Sequence, residues 1–348
     1  MIRRSVLNIN YANKGKRDTL DLVVSEMTKA VNLFIDELWQ RGDFSSKYVD
    51  FKIDTWLSAR LQQSLGKQAL EIVKSQRKNQ NKTKPIFSGN AFNLDSRFVD
   101  FQYDINTFDI WIRLSSIGNK IILKLPSRGH KHYNKYKDWN KSKSIRLLKR
   151  SNGYFIEVFF EKESPELKQS GKVIGVDCGY KKLLVDSEGN NYDDGLEKCY
   201  EKISRKKRGS KSFKRALAER DNLTNQSLNK LNLTDVKEIV VEDLNNVKKG
   251  NGKNKKRKMT KKFMNKLQRW SYPKVLGKLV ALAEQNGTLL TKRNPAYTSQ
   301  KCSMCGVICK SNRQGQAYKC TCGNKMDADL NAAINLSHMG VYSPHALN

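Results

Sequence analysis

Five of the seven cysteines crowd into one short segment: Cys302, Cys305, Cys309, Cys320 and Cys322, with only Cys178 and Cys199 elsewhere. Disulfide scaffolds are short and secreted. A chain of 348 residues with no export-signal pattern after Met1 instead places this cluster as a metal site in a reducing compartment, the cytoplasm. Cys302-x2-Cys305 and Cys320-x-Cys322, with 14 residues between the pairs, supply four thiolates, a set that suits closed, structural, tetrahedral Zn²⁺. The second pair is one residue short of the usual two-residue spacer, and Cys309 could replace one ligand. Free buried cysteines are the bland alternative, and the local density weighs against it.

The carboxylates raise a second possibility. In Lys172–Asn191 (KVIGVDCGYKKLLVDSEGNN) an apolar run, Val173–Val176, ends in Asp177, followed by Gly179 and a second apolar run at Leu183–Val185. This is a hairpin with one acid where a buried strand meets its turn. A turn-capping Asp explains it alone, and Cys178 reads as a small buried residue. Val236–Glu242 (VKEIVVE) is a second apolar strand ending in an acid, and Asp327 and Asp329 precede a helix-like run, Asn331–Leu336. N-capping suffices for either Asp on its own. Together, Asp177, Glu242 and Asp329 could converge on two divalent cations about 3.5–4 Å apart, an arrangement that hydrolyses phosphodiesters. Mg²⁺ suits such a site because it needs few carboxylates and lets a substrate phosphate complete its octahedron; Mn²⁺ could take its place.

Charge points to the same substrate class. Lys+Arg number 66 against 34 Asp+Glu, a formal net charge of +32, which calls for a polyanionic partner. No apolar stretch approaches the ~20 residues of a spanning helix, so nucleic acid is favoured over membrane.

The remaining pattern describes what must position these groups. Arg4–Tyr11 alternates as a strand and leads into a Gly/Lys-rich turn. Apolar residues recur at helical spacing over Thr19–Trp39 and about Asp54–Gln76, the second presenting Arg60, Lys67, Lys74 and Arg77. Val99–Phe160 holds short β-like runs (Asp109–Leu114, Lys120–Leu123, Ser144–Lys149, Tyr154–Phe160), an antiparallel sheet or small barrel that the first strand joins. Within it, Arg128–Trp139 interleaves cations and aromatics, a composition that can contact phosphates and stack bases. Leu196–Lys230 reads as helical with a basic interruption at Arg205–Lys214, Phe263–Gln285 as an amphipathic helix bent or restarted at Pro273, and Thr288–Lys292 as a strand. Lys248–Lys262 (KKGNGKNKKRKMTKK) reads as a phosphate-contacting loop. The order predicts an α/β layer with a mixed sheet, and the right-handed crossover rule lays the Glu242 strand parallel beside the Asp177 strand.

GVDCG at Gly175–Gly179, VVEDL at Val240–Leu244, YTSQKCSMCG at Tyr297–Gly306 and DADLNAAINL at Asp327–Leu336 resemble, in order, the signature set of the TnpB family, transposon-associated RNA-guided DNA nucleases related to the miniature type V CRISPR effectors. The resemblance covers about Lys172–Leu336. It implies an α/β and β multi-domain protein in which a RuvC-like (RNase H-like) nuclease domain with an inserted zinc-binding knuckle follows a β-barrel wedge domain interrupted by a helical recognition domain. The implied boundaries are 1–17 and 93–166 for the wedge, 18–92 for the helical domain, 167–300 and 324–348 for the nuclease with its tail, and 301–323 for the zinc insertion. It implies that Asp177, Glu242 and Asp329 are the catalytic Mg²⁺ ligands, with Asp327 a neighbour, and that Cys302, Cys305, Cys320 and Cys322 hold Zn²⁺. Guide RNA and target double-stranded DNA are the implied partners, with nucleoid association when bound. The N-terminal half would read a short target-adjacent motif while base pairing reads the sequence. This chain departs at the shortened Cys320-x-Cys322 pair and at Ala328, where many members carry Arg. The alternatives are a miniature type V effector guided by a CRISPR array RNA, a nuclease-dead guided repressor, which would be expected to lack one of the three acids, and a transposase working without RNA.

Overall fold

The computed structural model describes residues 1–342 apart from 42–46, 80–82, 120, 181, 194, 245–264 and 266–268. Two compact units divide between Glu163 and Ser164. No helix among the described residues is long and apolar enough to cross a membrane.

In the first unit, strand β1 (Ile2–Asn8) pairs antiparallel with β7 (Gly153–Glu161), from Ile2 opposite Glu161 to Asn8 opposite Phe155. The sheet order is β1-β7-β6-β2, where β6 is Asn140–Arg150 and β2 is Ala91–Leu94. A second antiparallel sheet joins β3 (Val99–Ile105), β4 (Phe108–Ser115) and β5 (Ile122–Ser127), and a single helical turn, α3 (Lys131–Asn134), lies in the expected basic-aromatic loop. Helix α1 (Lys14–Arg41) buries Leu20, Val23, Val24, Met27, Ala30, Val31, Phe34, Ile35 and Leu38. Each large apolar side chain so buried contributes ~1.5–3 kcal/mol, which outweighs the weak helix propensity of its β-branched residues. The helix starts earlier than periodicity suggests. The expected Gly/Lys-rich turn forms its first turn because Asn13 Oδ1 accepts the Lys16 N–H at 3.0 Å and caps it. Helix α2 (Ala59–Arg77) starts later, after Ser58; Thr55 Oγ1 is bonded to Glu26 on α1, which holds the preceding segment out of the helix.

In the second unit the mixed sheet runs β11-β10-β8-β9. Strands β8 (Lys172–Asp177), β10 (Val236–Glu242) and β11 (Leu289–Arg293) are parallel, and β9 (Val185–Asp186) returns antiparallel beside β8. Ile174, Val176, Ile239 and Val241 pack into a core with Leu196, Ile203, Val275 and Leu279, contributed by helices α4 (Leu196–Ser204) and α6 (Tyr272–Gln285). The expected basic interruption does separate α4 from α5 (Lys211–Leu228) but spans only residues 205–210, because residues 211–214 form the first turn of α5, and Asn191 makes an isolated bridge to Val185. Of the two expected effects of Pro273, the restart is the one found: it stands in the first turn of α6, where its missing N–H costs nothing. The expected loop Lys248–Lys262 and the start of the Phe263 helix lie outside the described residues. Small strands β12 (Arg313–Gln314), β13 (Ala317–Lys319) and β14 (Lys325–Asp327) form a third sheet that leads into α7 (Ala328–Ser337).

Helix α7 lies directly on β8. A Cβ on Gly175 would stand 1.9 Å from the Ala333 carbonyl oxygen and 2.4 Å from Ser337 N. Glycine is required here by close approach, and that approach sets the height of α7 over the sheet.

Candidate metal centre

Parallel pairing brings Val240 opposite Gly175 and Val241 opposite Val176, so Glu242 and Asp177 end adjacent strands at one edge. Asp329, in the first turn of α7, completes the group: all three line one cavity of about 340 Å³ together with Lys182, Thr298 and Arg313.

Each acid is held differently. Asp177 is the last residue of β8 and precedes a tight loop in which Gly179 N–H donates to Lys182 O at 3.1 Å. Tyr180 in that loop stacks on Tyr200 of α4, centroids 4.5 Å apart. Glu242 Oε1 accepts from Thr298 Oγ1 at 2.5 Å, while its backbone carbonyl accepts from the Tyr272 hydroxyl. Asp329 is 8% exposed; its Oδ1 accepts from Arg313 Nη2 at 3.0 Å, and Lys182 Nζ lies 3.7 Å from its Oδ2.

Asp327 has other work. Its Oδ1 accepts from the N–H groups of Asp329 and Leu330 at 3.0 and 3.3 Å, capping α7, and its Oδ2 accepts from Lys182 Nζ at 2.5 Å. Burial acts against ionisation, but Lys182 and the cap hold this carboxyl below the ordinary range. Of the pair, it is Asp329 that lines the cavity with Asp177 and Glu242 and whose charge acts on Asp177.

The electrostatics describe a cluster short of positive charge. Burial, then the neighbouring charges of Glu242 and Asp329, push the Asp177 carboxyl up to about 8, against the pull of Arg313 and the Cys178 N–H. Burial likewise raises Glu242, against the Thr298 hydrogen bond and Arg313. Neighbouring buried carboxylates cannot all ionise without further cations. The donor set is oxygen only, hard and anionic, which fits Mg²⁺ or Mn²⁺.

The cysteines form a separate centre. Sγ atoms of Cys302, Cys305, Cys320 and Cys322 all lie within 4.8 Å of one another, with Cys302–Cys322 and Cys305–Cys320 at 3.7 Å. Four sulfurs each about 2.3 Å from one Zn²⁺ stand about 3.8 Å apart, so the short Cys320-x-Cys322 spacer does not prevent a tetrahedral set. Burial opposes ionisation of Cys302, yet the N–H groups of Cys305 and Met304 and the Asn324 amide lower it to about 6. Cys309 is outside the group; its Sγ pairs with Ser311 Oγ at 3.0 Å. The sulfur cluster and the carboxylates are tied together by α7: Asn331 Oδ1 accepts from Ser303 N at 3.0 Å, and Asn331 and Asn335 both donate to Lys301 O, at 2.8 and 2.7 Å.

Several site residues have no signal in the sequence pattern. Lys182 is one of many lysines and Arg313 lies between cysteine pairs in no motif, while Thr298 falls within the YTSQKCSMCG motif but carries nothing that marks it as the partner of Glu242. Asn331 and Asn335 could have been found as amides spaced i, i+4 on an otherwise apolar helix face. Ala328 is fully buried beside Cys302, Tyr318 and Cys320, and a guanidinium reaches Asp329 from Arg313 instead. His130 and His132 are joined to β1, through Val6 O and Ser5 Oγ, far from either centre in sequence.

Residues 272–336 match the family model described as the Cas12f1-like TNB domain. Over 73 residues the chain is 47% identical to a CRISPR-associated endodeoxyribonuclease Cas12f1 of Sulfoacidibacillus thermotolerans, covering 20% of this chain and 17% of that protein. Over 100 residues it is 35% identical to a TnpB-like protein of Methanocaldococcus jannaschii, covering 28% of this chain and 34% of that one. The matched segments therefore span about a third or less of these relatives' lengths. A cryo-EM structure of a Cas12f1–sgRNA–target DNA complex shares the fold, with a TM-score of 0.57 at 14% identity over 93% of this chain and 83% of that one.

Proposed function

We propose that this chain, a relative of TnpB and the miniature type V effectors, is an RNA-guided DNA endonuclease with one RuvC-like site. The observation that carries the reading is the convergence of Asp177, Glu242 and Asp329, from two parallel strand ends and a helix start, on one cavity. These three would hold two Mg²⁺ ions, which when bound supply an activated water and charge stabilisation at the leaving oxygen of a phosphodiester. The protein's own part is positional. Strand pairing fixes the spacing of Asp177 and Glu242, Thr298 orients Glu242, and the Gly175 contact sets the depth of Asp329. The four-thiol knuckle would hold structural Zn²⁺ and so anchor Arg313 and the Thr298 turn.

Features of the first unit support the partners. A groove of about 530 Å³ is lined by Arg60, Gln63, Lys67, Gln68, Asn93 and Arg97, side chains with the donors and acceptors that read base edges; we assign the target-adjacent motif to it. Lys16 stands 5.4 Å over Trp111 and Arg128 5.4 Å over Phe108, pairing cations with rings as guide-RNA backbone and bases require. The wedge, helical and nuclease boundaries given above belong to this same reading.

The test is cleavage of motif-flanked double-stranded DNA by the protein with its copurified RNA in Mg²⁺. Asp177→Ala should abolish cutting and leave guided binding intact. Cutting by Asp177→Ala at the wild-type rate would overturn the assignment, and guided binding without any cutting by the wild type in Mg²⁺ or Mn²⁺ would favour a repressor. Sequencing the bound RNA separates a transposon-end guide from a CRISPR-array guide, and activity on transposon ends without RNA would favour a transposase.

A further inference from the structure

Asp329 is covered by cations on both carboxylate oxygens. Arg313, at the start of β12, donates to Oδ1 at 3.0 Å, and Lys182, in the loop after β8, sits 3.7 Å from Oδ2. The two cations come from separate elements. Lys182 Nζ also donates to Asp327 Oδ2 at 2.5 Å, while Arg313 Nε donates to Gly315 O at 3.3 Å. Both side chains are partly exposed to the cavity's solvent, at 25% and 31%.

Such an arrangement puts two ligand classes in competition for one residue. A divalent cation at Asp329 would stand beside a guanidinium and an ammonium, and like charges at that range disfavour it. A phosphodiester attracts both side chains, the guanidinium bidentately and the ammonium as a point charge. Each ligand therefore removes what opposes the other. A phosphate that draws Arg313 and Lys182 towards itself frees Asp329 for a metal, and a metal on Asp329 frees the two cations for phosphate. Affinity changes of this kind are reciprocal by thermodynamic necessity.

We infer that metal loading of this pocket is coupled to arrival of a phosphate-bearing strand by counter-ion exchange at Asp329, with Lys182 and Arg313 as the exchanging cations. The inference rests on the metal-site reading proposed above and adds its regulation: the free protein binds metal poorly, and the strand completes the centre. Lys182 and Arg313 are counter-ions of Asp329 before they are contacts for the strand.

The experiment measures Mn²⁺ binding to the zinc-loaded full chain by EPR, with and without a non-cleavable phosphorothioate oligodeoxynucleotide, correcting for Mn²⁺ bound by the oligonucleotide alone. In the wild type the oligonucleotide should tighten Mn²⁺ on the order of ten-fold, within the usual range for coupled sites. Lys182→Gln with Arg313→Gln should bind Mn²⁺ more tightly than the wild type when no strand is present, and the oligonucleotide should then tighten it by clearly less than in the wild type, leaving only the direct ligation by phosphate. Lys182→Gln alone should fall between, and decides the matter if the double variant does not fold. An equal strand effect in wild type and variants overturns the inference, as does Mn²⁺ binding that the substitutions leave unchanged or weaken. Wild type that binds no Mn²⁺ saturably even with the oligonucleotide present overturns it together with the metal-site reading. Cleavage is scored separately: a chain that shows the coupling but never cuts loses the endonuclease reading alone, and one that cuts without coupling loses this inference alone.

Discussion

Gly175→Ala is the smallest change that should separate the two halves of the carboxylate site. The added methyl would stand 1.9 Å from Ala333 O, 2.4 Å from Ser337 N and 2.8 Å from Leu336 Cβ, where real Cβ atoms essentially never come within 3.0 Å. Two of the three opposing atoms are helix backbone and cannot rotate away, so α7 must rise from β8 by about 1 Å in a close-packed interior. Overpacking of this kind costs ~1–3 kcal/mol, and rigid opposing atoms place it at the upper end. At about 2–4 °C per kcal/mol for a unit of this size, Tm should fall by roughly 6–12 °C. Asp329 rides on α7, and a misplacement of about 1 Å can cost ~100-fold in rate, so cleavage should fall far more than stability at permissive temperature. Differential scanning calorimetry and single-turnover cleavage below the variant's Tm measure the two effects. Gly277→Ala, inside α6 with nothing within 4 Å of the new methyl, is the control and should stabilise by ~0.5–1 kcal/mol. A Gly175→Ala protein with wild-type Tm and cleavage would refute the close-approach reasoning.

Other outcomes follow from the same geometry. Because the Asp177 carboxyl is raised to about 8, the metal-free fold keeps a proton that the unfolded chain releases, and stability should fall as pH rises from about 4 towards 8; Asp177→Asn should flatten that slope in pH-dependent melts. The same proton must leave before Mg²⁺ binds, so the Tm gain from saturating Mg²⁺ should grow with pH up to about 8 and then level. On the proposed zinc reading, Cys305→Ser should abolish Zn²⁺ binding at the four-thiol site and lower activity, whereas Cys309→Ser should carry one Zn²⁺ per chain like the wild type, as read by colorimetric metal release. Arg60→Ala and Gln63→Ala should weaken binding to motif-bearing DNA by ~1–3 kcal/mol each while leaving binding to motif-free DNA nearly unchanged, measured against a randomised-motif library.

The regular elements near the site were legible because their apolar periods are unbroken. VIGV and KEIVVE each bury on both faces of a sheet covered by helices, which reads as a continuous run, and the intervening helical stretch forced a parallel pairing. Boundaries were less legible where a single side chain decided them. Asn13 extends α1 through a Gly/Lys segment that composition marks as a turn, and the Thr55–Glu26 bond delays α2. Strand β2 was not anticipated, since four residues offer too short a period to distinguish from a loop.

From the sequence alone, the ligand types could be stated: thiolates paired at metal spacing, acids at the ends of apolar runs, and a net charge that demands a polyanion. Those properties are local, set by residue identity and short spacing. Tertiary structure alone decided which groups meet. Cys309 pairs with Ser311 while the four other clustered sulfurs gather, Asp327 is used up capping α7 and holding Lys182, and Arg313 crosses from the knuckle to Asp329. Such contacts join residues far apart in the chain, or sort near-identical neighbours by the direction their backbone gives them, and no periodicity records either.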